Sequence, residues 1–395
     1  MIAYLPFIIF LMILAVLLRA ESALTVIYMI MGSFFLAFWW NKRALQHIEV
    51  TRTFQKYAFS GDHITVELVI KNTSILPILW LEMTEGLSVD LRGGKTVKQV
   101  FSLGAREKKA IPYDLYPNKR GYYHLGPLRI STGDPLGLLE PAQKELASSP
   151  LTVYPQIVNM ARFRLPSRSP FGTIKHRDPI FEDPSRIFGK RDFQNGDSIR
   201  RIDWKSTAAT GQLQVKLYEA SIALQVAIIL DLHLQSYDLK SFVYASELAV
   251  IAAASVAAWG QTHQQTVGLV TNGADPRNDH NLPNPIPPKK GTGHFIQILE
   301  VLACIQTSEN LTIETLIQDA LARLPWGTTV VLISGGVNET SLSQLNQARK
   351  KGINPAIILT GQSPSARTIT DLSAFYQIPL YKVHNAQDLR TTGIN

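Results

Sequence analysis

Between Phe188 and Glu219 the chain concentrates side chains suited to acid–base or ionic chemistry. Lys190, Arg191, Arg200, Arg201 and Lys205 are interleaved with Asp192, Asp197 and Asp203, and Trp204 stands among them. A carboxylate beside a guanidinium can act as a general base in a hydrolysis when a cleft tunes its pKa. Asp197 or Asp203, near Arg191 and Arg200, is such a set. The same residues can form a salt-bridged clasp between domains, which is the preferred reading. A third use is a basic patch for anionic lipid. Asn195-Gly196-Asp197 reads as a turn, with Asp197 placed to cap a short helix through Trp204. On that helix Asp197, Arg200, Arg201 and Trp204 recur at three- and four-residue spacings, so their charges can pair on one side.

A second candidate is Asp231. The mostly apolar run Leu224–Leu232 reads as a buried parallel strand, and Asp231 falls at its end. Open α/β sheets bind ligands beyond the carboxyl ends of their strands, where the strand order reverses. No G-x-G-x-x-G and no Walker loop is present, so nucleotide and dinucleotide binding lack support. The single cysteine, Cys304, reads as a small core residue and argues for no oxidising compartment.

The elements that must hold these residues follow from periodicity. After residue 217, strands and helices alternate. The helices are Ser241–Trp259, Phe295–Ile305, Ile313–Leu324, Glu339–Lys351 and Ala366–Tyr376; the strands include Thr266–Val270, Thr328–Ser334, Ala356–Thr360 and Leu380–Val383. That order implies a doubly wound parallel sheet. Asn281–Thr292, rich in proline, reads as an irregular insertion on one edge. From His47 to Val158 short strands prevail. Ile64, Val66, Leu68 and Ile70 alternate with polar residues, and Gly, Asn and Asp turns frame each run. This is the pattern of an immunoglobulin-type antiparallel sandwich. It holds no Ser/His/Asp set and no metal-ligand cluster.

Two uncharged runs of 18 residues, Met1–Leu18 and Ala23–Trp40, precede the sandwich. Each just suffices to cross a bilayer as a helix. The alternative, a cleaved signal peptide, lacks a basic first segment and leaves the second run unexplained. Trp39 and Trp40 beside Lys42 and Arg43 read as an interfacial belt. Lys42, Arg43, Arg52 and Lys56 follow the second run, against Arg19 alone in the connecting loop, so both termini are expected in the cytoplasm. The domain boundaries implied are a transmembrane hairpin at 1–43, a sandwich at 44–160, a linker with the charged motif at 161–216 and an α/β domain at 217–395.

The apolar fraction of 46% and charged fraction of 18% exclude a disordered chain. The net charge is +8; eleven Lys/Arg against six Asp/Glu between Ala161 and Lys205 supply +5 of it. Such an imbalance suits acidic protein or lipid surfaces. No zinc-finger spacing or aromatic stacking array accompanies it, so nucleic acid is not an expected partner.

Two apolar spans, a sandwich with Lys119-Arg120-Gly121-Tyr122 and Asp134-Pro135-Leu136-Gly137-Leu138, and Gly196-Asp197-x-x-Arg200-x-Ile202-Asp203-Trp204 together resemble the bacterial domain-of-unknown-function 58 proteins. The resemblance implies a von Willebrand factor A-like C-terminal domain in a protein of the bacterial cytoplasmic membrane. It also implies a partnership with a MoxR-type AAA+ ATPase, as an adaptor in the assembly or maturation of other proteins rather than an enzyme. Gly137 could supply the positive backbone angle of a tight turn. Such A-type domains often bind Mg²⁺ through Asp-x-Ser-x-Ser, a distant Thr and a second Asp. Here Asp231 keeps the first position, His233 and Gln235 replace the serines, Gly335 or Gly336 stands where the second carboxylate is due, and Thr292 is the candidate Thr. The expectation is therefore a degenerate metal site at Asp231 and no cofactor. Ala209 stands where related proteins often carry Arg.

Overall fold

The computed structural model describes residues 9–10, 13, 21–92, 97–134, 140–160, 163, 187–194, 196–218, 225–279, 281–362 and 366–391. The chain forms two compact units, Met1–Gln156 and Ile157–Asn395.

The first unit begins with helix α1, Glu21–Ala44. Its 24 residues rise about 36 Å at 1.5 Å each. Val26, Tyr28, Met29, Phe35 and Leu36 are exposed on it, while Ile27 and Ala37 are buried. Arg43 lies over the ring of Trp39, 5.4 Å from its centroid. Of the earlier apolar run, only Ile9, Phe10 and Ile13 are described, helical and exposed; the rest of it lies outside the described residues.

Ten strands follow. β1 (Ile48–Thr53), β3 (Ile64–Asn72) and β6 (Lys108–Leu115) form one antiparallel sheet in the order β1-β3-β6. β4 (Ile78–Glu85), β5 (Val97–Leu103), β8 (Leu128–Thr132) and β9 (Ala142–Leu146) form a second, ordered β5-β4-β8-β9. β2 (Tyr57–Phe59), β7 (Gly121–Leu125) and β10 (Ser149–Tyr154) make a third, in which β2 runs parallel to β10. That parallel pair departs from the purely antiparallel expectation: the segment after β1 joins β10, which reaches it from far along the chain. Ile64, Val66, Leu68 and Ile70 of β3 all point inward, as their alternation implies. They share one core with Leu81, Met83, Leu103, Ile130 and Val153, so inner faces from all three sheets close on each other.

A buried ion pair crosses that core. Arg52 of β1 reaches Glu85 of β4 at 2.7 Å and donates to Ser149 Oγ of β10 at 2.7 Å, tying one strand from each sheet. Burial pushes the Glu85 carboxyl up, and the Arg52 guanidinium pulls it back. Glu85 Oε2 and Arg52 Nε, among the described residues, meet no hydrogen-bond partner. The Pro135–Leu139 part of the second sequence motif and most of the linker after residue 160 lie outside the described residues.

The second unit opens with a two-stranded ribbon, β11 (Ile187–Asp192) with β12 (Gln214–Tyr218). Between its strands lie a 3-10 turn, Ile199–Arg201, and helix α2, Trp204–Thr210. Among the described residues, six strands follow: β13 (Gln225–Leu230), β14 (Thr266–Thr271), β15 (Ile286–Lys289), β16 (Thr329–Ser334), β17 (Asn354–Thr360) and β18 (Leu380–Val383). Their spatial order is β15-β14-β13-β16-β17-β18, all parallel except β15. Among the described residues the helices are α3 (Phe242–Thr262), α4 (Thr292–Cys304), α5 (Ile313–Leu321), α6 (Glu339–Lys350), α7 (Ala366–Phe375) and a short α8 (Asp388–Thr391). Ala227, Ile229, Val330, Leu332, Ile357 and Leu359 pack under α5, α6 and α7. Alternation turns their neighbours to the opposite face, and α3 also packs against β13, β14, β16 and β17. Among the described residues, α3 has the length and hydropathy to cross a membrane. Its alanine-rich surface is buried in the unit instead.

The 281–292 segment is a correction. It contains the antiparallel edge strand β15, which two prolines argue against in sequence. Gly268 of β14 makes room for it, since a Cβ there would lie 2.8 Å from Ile286 O and 2.9 Å from Pro288 Cδ.

Candidate functional site

The charged motif folds as a self-contained unit. Gly196 adopts φ +108°, open to glycine and strained for other residues. This turn swings Asp197 back onto β11, where Arg191 grips it with two hydrogen bonds of 2.7 Å and the Gln194 amide adds a third at 2.8 Å. The Arg191 hydrogen bonds, then the Gln194 amide, hold the Asp197 carboxyl below its usual range. Asp197 therefore does not cap a helix, contrary to expectation, because two guanidinium donors already occupy it. The helix starts at Trp204, and Asp203 is its cap, accepting from the Ser206 amide at 3.2 Å.

The other oxygen of Asp203 lies 2.8 Å from Lys190 Nζ. That contact first, and the Ser206 amide second, bring the carboxyl down to about 2. Lys190 also bonds the Ser206 hydroxyl. Ile202 bridges Val215, both are buried, and the Asp203 amide donates to Gln214 O at 2.8 Å. Gly211, left-handed at φ 73°, ends α2 and returns the chain to β12.

Both carboxylates proposed as general bases are thus held ionised by partners within the ribbon. A carboxylate whose pKa is lowered further from its ordinary range accepts protons poorly at neutral pH. Arg191, Gly196, Asp197 and Asp203 come together there. Arg200 and Trp204 instead face outward, because Ile199–Arg201 is a 3-10 turn and Ile202 is extended, so no single helix aligns them with Asp197.

The second candidate lies at the strand ends. β13 is flanked by β14 and β16, so the strand order reverses beside it. A cleft of about 610 Å³ opens there, between the 233–239 loop after β13, the 335–338 loop after β16 and the start of α5. Glu314, Asn338, His233, Ser236, Asp238 and Thr312 contribute its polar groups. Asn338 caps α6 by accepting from the Ser341 amide and turns its Nδ2 to Glu314. This side-chain hydrogen bond helps hold the Glu314 carboxyl low, although desolvation is the largest single influence and opposes it. Gly335 is required at the cleft wall, since a Cβ would meet the Tyr237 ring at 2.3 Å.

Asp231 is fully buried and is not part of the cleft lining. Its Oδ1 accepts from the His233 amide at 3.1 Å and from Asn272 Nδ2 at 2.8 Å; its Oδ2 lies 2.7 Å from Ser334 Oγ. Tyr237 donates to its backbone carbonyl at 2.6 Å. Asn272 is itself buried and fixed by Leu232 and Leu311.

These residues do not fit a Mg²⁺ site. Both Asp231 oxygens already accept protein hydrogen bonds, and Gly335 and Gly336, where the second carboxylate was due, carry no side-chain ligand. Thr292, the first residue of α4, lies at the wrong end of the sheet. Two residues after it, His294 bonds Val267 O at the start of β14, whereas Asp231 follows the end of β13. The threonine beside the cleft is Thr312, the residue before α5. Asn272, Ser334, Glu314 and Asn338 escaped sequence reasoning. The available signal was positional, since Asn272 and Ser334 each close an apolar strand just before a glycine.

The family described as "Protein of unknown function DUF58" matches residues 189–354, from the ribbon to the first residue of β17. The Gly196–Trp204 motif lies inside that match, so the resemblance it suggested is shown there. The "Uncharacterized protein YeaD" of Bacillus subtilis (strain 168) is 25% identical over 177 residues, 44% of this chain and 44% of that protein. The match thus spans under half of that relative's length. Among solved structures, proximal thread matrix protein 1 from the mussel byssus matches 43% of this chain and 46% of its own, with 10% identity and a TM-score of 0.32. A CARDB domain from Pyrococcus furiosus matches 27% of this chain and 91% of its own, with 15% identity and a TM-score of 0.21. Likenesses at these scores carry no argument about this chain.

Proposed function

We propose that this chain, with its DUF58 region at 189–354, is a membrane-anchored cytoplasmic adaptor that works with a MoxR-type AAA+ ATPase in assembling or maturing other proteins. In this reading α1 and the apolar run before it are the two spans, the strand-rich unit is an immunoglobulin-like module, and the second unit is a von Willebrand factor A-like domain. The observation that carries the reading is the cleft at the strand reversal above a sealed Asp231. It offers groups for recognition in Glu314, Asn338 and His233, while the carboxylate beneath is committed to structure. The exposed apolar surface of α1 supports the anchor, because a helix apolar on every side needs hydrocarbon or protein around it. The reading assigns no catalytic residue and no cofactor.

The test is a pull-down of the full chain from detergent-solubilised membranes, beside a Glu314→Lys variant that reverses charge in the cleft. Recovery of an AAA+ ATPase that the variant loses, with thermal stability unchanged, is expected. Repeated recovery of no ATPase by the wild-type chain overturns the partnership, and equal recovery by both removes the cleft from it.

A further inference from the structure

The ribbon has an outer surface beyond its Arg191–Asp197 and Lys190–Asp203 pairs. Ile202 and Asp203 point inward and are tied to Val215 and Gln214 of β12. The residues on either side, Ile199, Arg200, Arg201, Trp204 and Lys205, are all exposed. Ile199 is 72% exposed and Trp204 65%, so both stand clear of the surface rather than lying in a groove. Trp204, Lys205 and the small Ala208 and Ala209 make up the outer side of α2, while Ser206 and Thr207 turn toward the ribbon.

Residues 187–218 contain six Lys/Arg and three Asp, a net +3. Two of those aspartates are neutralised internally, Asp197 by Arg191 and Asp203 by Lys190, and Asp192 bonds Gln214. Outside those two pairs stand Arg200, Arg201, Lys205 and Lys216 against Asp192, a net +3; Arg201 also acts on Asp197 and Lys216 on Asp203.

We propose that Ile199, Arg200, Arg201, Trp204 and Lys205 form a contact for an anionic bilayer surface. A protruding Trp and Ile ringed by cations suits the headgroup layer, where an indole is both apolar and wet and Lys/Arg meet phosphates. A protein partner would need pockets shaped to receive these two side chains, whereas a bilayer accepts them without one. The proposal rests on the reading that α1 lies in the membrane, which ties this chain to lipid. It gives the Gly196–Trp204 motif one architecture with two sides: ion pairs inward to fix the turn, cations and apolar tips outward to touch headgroups.

The experiment uses the full chain carrying Cys304→Ser and Ser198→Cys, labelled at residue 198 with a polarity-sensitive dye. It is reconstituted in nanodiscs of phosphatidylcholine alone or mixed with phosphatidylglycerol. With phosphatidylglycerol the dye emission shifts to the blue and iodide quenching falls, and high salt reverses both. Arg200→Gln, Arg201→Gln and Lys205→Gln together abolish the difference, at about fivefold in contact population for each cation removed. Trp204→Ala reduces it without changing the charge. Equal emission and quenching in the two discs at low salt overturns the contact while the chain still co-elutes with both. A chain that co-elutes with neither disc overturns the anchor and, with it, this proposal.

Discussion

Oγ of Ser334 lies 2.7 Å from Oδ2 of Asp231, joining the ends of neighbouring strands across 103 residues of chain. This bond, with Asn272 on the other oxygen, makes the carboxylate a structural link beneath the cleft rather than a ligand for one. Ser334→Ala leaves a buried carboxylate oxygen without its donor and the Gly336 amide without its acceptor. The expected loss is about 1–3 kcal/mol in denaturant unfolding of the second unit, since an unmet buried acceptor bears most of its desolvation penalty. A loss near zero shows that the oxygen finds another donor and that the link is dispensable.

Arg52→Met strands Glu85 in the core of the first unit. The expected destabilisation is about 3–5 kcal/mol, whereas Arg52→Met with Glu85→Met comes close to wild type or above it. The single variant also gains stability as pH falls from neutrality toward about 4.3. Without the guanidinium, burial alone raises the folded carboxyl above its unfolded value, so stability is greatest once the group is protonated in both states. Urea titrations at pH 5 and pH 7 measure both effects, and a single variant as stable as the double one would contradict the pairing.

Lys190→Met removes the ammonium that does most to stabilise the ionised Asp203 carboxyl. In the wild type Asp203 is depressed from 3.8 to about 2. Its contribution to the ribbon is thus present above 3.8 and is lost as pH falls toward 2. The Asp203 carboxyl resonance should titrate near 2, and in the Lys190→Met protein it should move up toward the ordinary range. Protection of the Ser206 amide against exchange should follow the same curve. An unmoved titration would mean that the helix cap, not the lysine, sets it.

Gly335→Ala drives a methyl group into the Tyr237 ring. The expected cost is about 1–3 kcal/mol by overpacking, with a displaced Tyr237 narrowing the cleft. Tyr237→Phe in the same background keeps the clash but loses the bond to Asp231 O, so it should not restore stability. Tyr237→Ala should relieve the ring clash but not the 2.8 Å approach to Ser236 O, so it restores stability only in part, and thermal melts of the three proteins separate these cases.

Much of the second unit was legible because alternating apolar strands and helices leave few other arrangements. The inward set on β3 was legible for a similar reason: a period of two fixes the face. What could not be read were bonds between residues far apart in sequence. Nothing local marks Ser334 or Asn272 as partners of Asp231, or Arg52 as the partner of Glu85. Asp197 failed as a cap although it sits at a good capping spacing, because Arg191 reaches it first across the turn. Spacing names the residues able to cap; competition among donors decides which one does.

Strand β15 bears on how partners can approach. Its sequence, Ile286-Pro287-Pro288-Lys289, forms one rim of the six-stranded sheet. Adjacent residues of an edge strand alternate between facing the sheet and facing outward. One of two consecutive prolines must therefore leave the outer rim without an amide donor. The opposite rim, β18, is four residues long and carries Lys382. Both borders of the sheet thus resist extension by a foreign strand, which discourages fibrous self-association between crowded copies. A visiting chain is steered to the loops over the strand ends.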